Sequence, residues 1–292
     1  MLRKNMDVFL QQVFNGIMLG STYAVVAAGL TLVFGILHVP NFAHGHFYMI
    51  GAYVTFFLVT SWKLGFWPAV LLSCLVLALL GVVVERLAFR PMRGQPQVNA
   101  FISAIGVLMF LEALVTLVWG PEGHRIPNPY PATVNLWGLV TTQQRLLVIV
   151  TAALLIFLLN LFIKKTLLGA TIEAVAQNRE GAMLVGINVD RVSSITFALS
   201  AATAAIAASV VAPIFIITPT MGALVGMKAF IIVILGGLGN IPGAIWGGYI
   251  LGLVEALGGG YISADYKDVF AFGLLILVLA LRPAGLFGKE SS

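Results

Sequence analysis

The chain has 292 residues, of which 60% are hydrophobic and only 9% charged, against about 25% charged in an ordinary soluble domain. That balance excludes a soluble enzyme. The formal charge of +5 does not point to nucleic acid, because the basic residues stand at the ends of apolar runs rather than in a patch.

The N-terminal run MLRKNMDVFLQQVFNGIMLGSTYAVVAAGL is too long for a signal-peptide core and reads as a retained first helix. No charged residue falls between positions 8 and 62, a length that holds two spans of about 20 residues each. They are separated by a break over residues 35–53, GILHVPNFAHGHFYMIGAY, where His38, Pro40, Asn41, His44 and His46 interrupt the apolar run. The next charge-free stretch, 64–84, predicts one helix and contains Cys74, the only cysteine. One thiol makes neither a disulfide framework nor a thiolate metal cluster, so Cys74 reads as a small core hydrophobe.

Residues 85–99 carry Arg86, Arg90 and Arg93, and residues 164–191 carry Lys164, Lys165, Arg179 and Arg191. Basic connections stay in the cytoplasm, which places both inside. The proline-rich connection 120–144, with Arg125 as its one basic residue before Gln143, belongs outside, with one helix leading out over 94–111 and one back over 146–163. The tail after residue 281, with Arg282 and Lys289, is placed inside, so an even number of crossings follows residue 191. Val192–Ile217, a glycine-broken pair from Gly226 to Leu257, and Val269–Leu281 supply four. The total is about eight or nine helices, an all-α polytopic membrane protein forming a single transmembrane domain over residues 1–292.

A second break lies at 235–252, LGGLGNIPGAIWGGYILG, which includes Gly236, Gly237, Asn240 and Pro242 among seven glycines. Irregular backbone inside a membrane must face protein or a water-filled path, and transporters use such breaks for function. Asn41, His44, His46, Gly236, Gly237 and Asn240 are therefore the candidate path residues; the alternative for Asn41 and His44 is capping of the following helix. Superposing Asn41 on Asn240 aligns two helix, break, helix units, which duplication and shared glycine content explain about equally. His38, His44 and His46 lack a third and fourth ligand type nearby, so no metal site is expected. Glu112, Glu255 and Lys228 are placed near helix ends, where function and snorkelling compete.

Residues 164–191 are too polar to span, yet apolar residues recur at helical spacing. Asn178 is suited to an N-cap, Glu180 to the first turn and Gly186 to the C′ position. This predicts a short helix over Arg179, Glu180, Gly181, Ala182 and Leu184 that docks a partner; lying on lipid is the alternative. The only Gly-Lys pair, at 288–289, is followed by Glu290 and lacks the spacing of a phosphate-binding loop. The chain is expected to bind no cofactor and to hydrolyse no ATP itself.

Four blocks in order, Asn15–Tyr53, Glu85–Gly94, Gln177–Arg191 and Gly226–Gly248, resemble the permease subunits of bacterial ABC importers for branched-chain amino acids, specifically the shorter of the two. The resemblance covers nearly the whole chain. It implies an inner-membrane heterodimer with a second, homologous permease, two cytoplasmic ATPase subunits that bind the ATP, a periplasmic substrate-binding protein, and a small-molecule solute. The segment Gln177–Gly186 resembles the family's ATPase-coupling segment, though it departs from the longer pattern of other importers. Urea, short amides and aromatic acids are further solutes of such systems. A stand-alone channel or carrier, a membrane enzyme and a purely structural subunit are the competing classes.

Overall fold

The computed structural model describes residues 2–37, 41–136 and 139–288. His38 and Pro40 of the first break, and Lys289 of the tail, lie outside the described residues. Eleven α-helices follow in order: α1 (Leu2–Leu37), α2 (His44–Thr60), α3 (Phe66–Val84), α4 (Gln97–Trp119), α5 (Gln143–Lys165), α6 (Leu167–Gln177), α7 (Arg179–Leu184), α8 (Val189–Val211), α9 (Met221–Gly236), α10 (Ile241–Tyr261) and α11 (Lys267–Leu281). Among the described residues six of them, α1, α3, α4, α5, α8 and α10, are long and apolar enough to cross a membrane. The 17-residue α2, 16-residue α9 and 15-residue α11 complete the apolar set, so the expected eight or nine helices divide into six long ones and three short ones.

One end of the bundle collects the basic residues. Ile36 of α1, Ile172 and Val175 of α6, Ala182 of α7 and Val189 of α8 form one apolar cluster there, joined by Ile241 and Ile245 from the first turns of α10. At the opposite end Arg145, which opens α5, donates to Asn15 of α1 at 3.1 Å. The chain therefore enters at that opposite end, and α8, α9, α10 and α11 make four successive passes that return the tail to the basic end.

The structure adds to the sequence reading in two places and corrects it in one. The external connection contains a short antiparallel hairpin, β1 (Thr133–Leu136) with β2 (Leu139–Thr142), in the register Thr133↔Thr142 to Leu136↔Leu139. The helix expected over 192–217 stops at Val211, and a non-helical connector runs to Thr220. It is fastened by a two-way backbone bridge between Ile217 and His124, with both N–O distances 2.9 Å. The His124 ring stacks on Phe56 at 4.6 Å and meets Tyr53 edge-on.

Third, the break expected at 235–252 is present as the turn 237–240 between α9 and α10, at the basic end of the bundle, while its later glycines serve helix contact. Gly248 and Gly252 of α10 face Ala24 and Gly20 of α1, where an added Cβ would come within 2.6 Å of Ala24 N and 2.5 Å of Gly20 Cα. In lipid no hydrophobic force draws helices together, and small residues let the backbones approach for dispersion contact. α1 and α8 are the buried centre, while α4 and α5 present mostly exposed apolar side chains. In α8 the hydroxyls of Thr196, Thr203 and Ser209 bond back to carbonyls three or four residues earlier, and Ser209 also meets the Thr55 hydroxyl of α2 at 2.6 Å.

Candidate functional site

α2 does not begin at an end of the bundle. His44, its first residue, donates from Nε2 to the Val26 carbonyl at 2.9 Å, which leaves Nδ1 as an acceptor facing the Ser200 hydroxyl at 3.2 Å. Val26 lies in the middle turns of α1 and Ser200 in those of α8. The first predicted break is thus at half depth. His44 itself is completely buried with both ring nitrogens engaged, so it ties three helices together and does not line a path within this chain.

Its neighbours behave differently. Asn41 accepts from the Ala43 amide through its side chain at 3.1 Å, and its side-chain nitrogen is buried with no hydrogen-bond partner among the described residues. His46 sits 3.1 Å from Glu112 of α4 through Nε2, and its Nδ1 is likewise buried and unpartnered. These two polar atoms lie at half depth beside a helix N-terminus, whose amides favour negative charge.

α9 starts beside this point. Gly45 of α2 is pressed against Gly222 and Gly226 of α9: a Cβ on Gly45 would collide with the Gly222 carbonyl and lie 2.6 Å from Gly226 Cα. Phe42 packs on Phe230 of α9 and edge-on against Phe101 of α4. Two short helices, each with its N-terminal turns at this crossing, form the arrangement in which transporters place solute sites. Sequence reading missed Gly45, Gly222 and Gly226; the spacing GxxxG at 222–226 was the available signal.

Gly236, Gly237 and Asn240 are elsewhere, in the turn from α9 to α10 at the basic end. Asn240 caps α10 by accepting from the Gly243 amide at 2.9 Å and donates to the Phe287 carbonyl of the tail at 2.8 Å. Gly237, at φ +95°, lies against Gly288, and a Cβ there would approach Gly288 N to 2.7 Å. Gly237 and Asn240 anchor the C-terminal segment, Gly236 packs on Gly243 across the turn, and the structure does not join the three to Asn41 and His46. Of the two asparagines only Asn240 caps a helix; Asn41 closes a turn onto the Ala43 amide, and α2 starts without a side-chain cap.

Of the three charged groups expected at helix ends, Glu255 is buried and Lys228 and Glu112 are partly so. Glu255 of α10, only 1% exposed, is 2.9 Å from Lys228 Nζ of α9 and accepts from Tyr23 of α1 at 2.8 Å; Lys228 also reaches Asp268 of α11 at 3.1 Å. This network pins four helices together. Removing one member strands a charge, which for buried pairs costs about 3–5 kcal/mol. Lys228→Met is expected to lower the thermal midpoint of the purified protein by that equivalent, and adding Glu255→Gln to recover much of it; strictly additive losses in the double variant would remove the pairing as the cause.

At the basic end Glu85, in a π-helical turn (Glu85–Phe89) that continues α3, is fully buried. It pairs with Arg90 at 3.0 Å and with Arg93, and accepts from Ser194 of α8 at 2.7 Å. Half-burial lowers the Arg93 guanidinium from its ordinary value, and Glu85 and Asp190 oppose that shift; with so high a starting value it remains charged.

α7 matches its sequence closely. Asn178 Oδ1 accepts from the Gly181 amide at 2.9 Å, and Gly186 takes φ +84° as the chain turns away, with the Ile187 amide returning to the Ala182 carbonyl. Ala182 is buried, while Arg179, Glu180, Met183, Leu184 and Val185 are exposed. Leu184 is 89% and Val185 77% exposed, at the end of the bundle away from the long apolar faces.

Residues 12–279 match the family described as the permease component of the branched-chain amino acid transport system. The chain is 42% identical to the high-affinity branched-chain amino acid transport system permease protein LivH of Salmonella typhimurium, over 96% of each chain. It is 40% identical to the corresponding protein BraD of Pseudomonas aeruginosa, again over 96% of each. The permease protein LivM of Escherichia coli is 26% identical over 90% of this chain and 67% of its own length. Match length and identity together leave one assignment: the chain is a multi-pass membrane transport component belonging to the branched-chain amino acid permease family.

Proposed function

We propose that this chain is one of two permease subunits of an ABC importer in the bacterial inner membrane, moving a branched-chain aliphatic amino acid with energy supplied by separate ATPase subunits. The observation that carries the reading is the joint one of family membership over residues 12–279 and a capped helix, α7, that offers Leu184 and Val185 to a partner at the basic, cytoplasmic end. That LivH and LivM relatives are both permease proteins of one named system supports a second, homologous permease as partner. A periplasmic binding protein delivers the solute.

In this mechanism ATP closes the ATPase pair, α7 moves with the groove that holds it, and the membrane helices rock between inward and outward access. The solute passes the crossing of α2 and α9. There the N-terminal amides of α2, with Asn41 and His46, meet its charged groups, and Phe42 and Phe230 meet its aliphatic side chain. No residue of the chain forms or breaks a covalent bond, and ATP binds to the partners only.

The test is to co-purify the chain with the second permease and ATPases encoded beside it, reconstitute the assembly in nanodiscs, and measure ATPase stimulation by the binding protein loaded with leucine, urea or an aromatic acid. Stimulation by the leucine-loaded form is expected. Stimulation by another loaded form overturns the solute class, and transport by the chain alone without ATP overturns the importer reading in favour of a channel or carrier.

A further inference from the structure

A cleft of about 650 Å³ opens between the end of α3 and the first turns of α8, within the roughly 300–1,000 Å³ of small-molecule sites. No step of the transport mechanism uses it. Its rim carries Arg86, Arg90 and Arg191, and its floor Val82, Ile195 and Ala198. Arg90 is committed to Glu85 and Ser194, and Asp190, the single carboxylate among the lining residues, is taken by Arg93. The Arg86 and Arg191 side chains are exposed and, among the described residues, have no hydrogen-bond or ion-pair partner.

The cleft lies where the apolar face of α3 begins. Leu79, Val83 and Leu87 stand exposed on the same helix, so whatever fills the cleft meets two free guanidiniums and hydrocarbon together. A free phosphate or an acidic protein side chain answers the arginines and leaves the floor uncovered. A phospholipid with net negative charge answers both, since guanidinium pairs with phosphate in a charge-assisted, bidentate way, and basic pockets between helices at the cytoplasmic interface suit anionic headgroups. We propose that this cleft binds the headgroup of an anionic phospholipid, its phosphodiester between Arg86 and Arg191 and the start of an acyl chain over Val82, Ile195 and Ala198. The site stands independently of the importer reading.

The experiment uses the full chain purified with its companion subunits in mild detergent, exposed to equal amounts of dioleoyl-phosphatidylglycerol and dioleoyl-phosphatidylcholine, with retained lipid counted by native mass spectrometry. Wild type is expected to retain phosphatidylglycerol over phosphatidylcholine on the order of tenfold, a difference of about 1.4 kcal/mol. Arg86→Gln with Arg191→Gln is expected to abolish that preference, Arg86→Lys with Arg191→Lys to keep it, and Ala198→Phe, which fills the floor with both arginines intact, to lose the lipid. Equal retention of the two lipids, or undiminished preference in the glutamine variant, overturns the proposal. So does displacement of the lipid by millimolar inorganic phosphate, which marks a free-anion site. Failure of the glutamine variant to assemble with its companions, while Ala198→Phe still holds phosphatidylglycerol, makes the arginines a protein contact and overturns it as well.

Discussion

Leu184→Asp combined with Val185→Asp is expected to abolish solute uptake, by tenfold or more, while the permease itself stays folded. Both side chains stand in solvent and touch little of the membrane domain, so their loss leaves the thermal midpoint of the permease within about 0.5 kcal/mol equivalent of wild type. In a partner's groove each contributes about 1.5–3 kcal/mol of apolar burial. Losing both therefore weakens docking on the order of a hundredfold or more, before the cost of desolvating two carboxylates. Co-elution with the ATPases on a sizing column and uptake into proteoliposomes read the two halves of the expectation. Normal uptake with normal co-elution would remove α7 as the coupling element. Substitution at Gly181 or Ala182 of the same helix is a weaker test. Ala182 is buried under the helix, and a Cβ on Gly181 comes within 3.2 Å of the Asn178 cap, so such variants mix docking with misfolding.

The second large effect belongs to the crossing at half depth. Gly45→Leu is expected to eliminate transport and to cost more than the about 1–3 kcal/mol of ordinary overpacking, because the atoms in the way are the backbone of Gly222 and Gly226 rather than a movable side chain. Gly106→Leu provides the contrast: a Cβ there meets nothing within 4 Å, and it lies on the mostly exposed α4. Thermal unfolding and uptake measured on both variants decide the matter. Comparable behaviour of the two would show that α2 and α9 do not need to stay in contact.

What was legible in the sequence was local. The caps of α7 are set by residues within eight positions of one another, Asn178, Gly181 and Gly186, and the spans by uninterrupted hydropathy, so both were readable without knowing the fold. The centre was not. Glu255 looked like a helix-end residue because its partners Lys228 and Tyr23 come from two other helices. Glycine count located the break at 237–240 but not the packing of Gly248 and Gly252, which answer Ala24 and Gly20 more than 220 positions away. Residues 212–217 of the connector were absorbed into a helix because most of them are as apolar as those of a span; the fastening to His124 is a long-range backbone bridge with no composition signal.

That bridge has a mechanical consequence. Ile217 and His124 join the α4–α5 connection to the α8–α9 connector at the end of the bundle farthest from α7, and the stacked ring on Phe56 adds α2 to the same knot. In the proposed mechanism a push at α7 swings the group α2, α8 and α9 about this clamp as a fulcrum. Displacement then scales with distance from the clamp, so the crossing of α2 and α9, lying partway along, would shift by a fraction of what α7 travels.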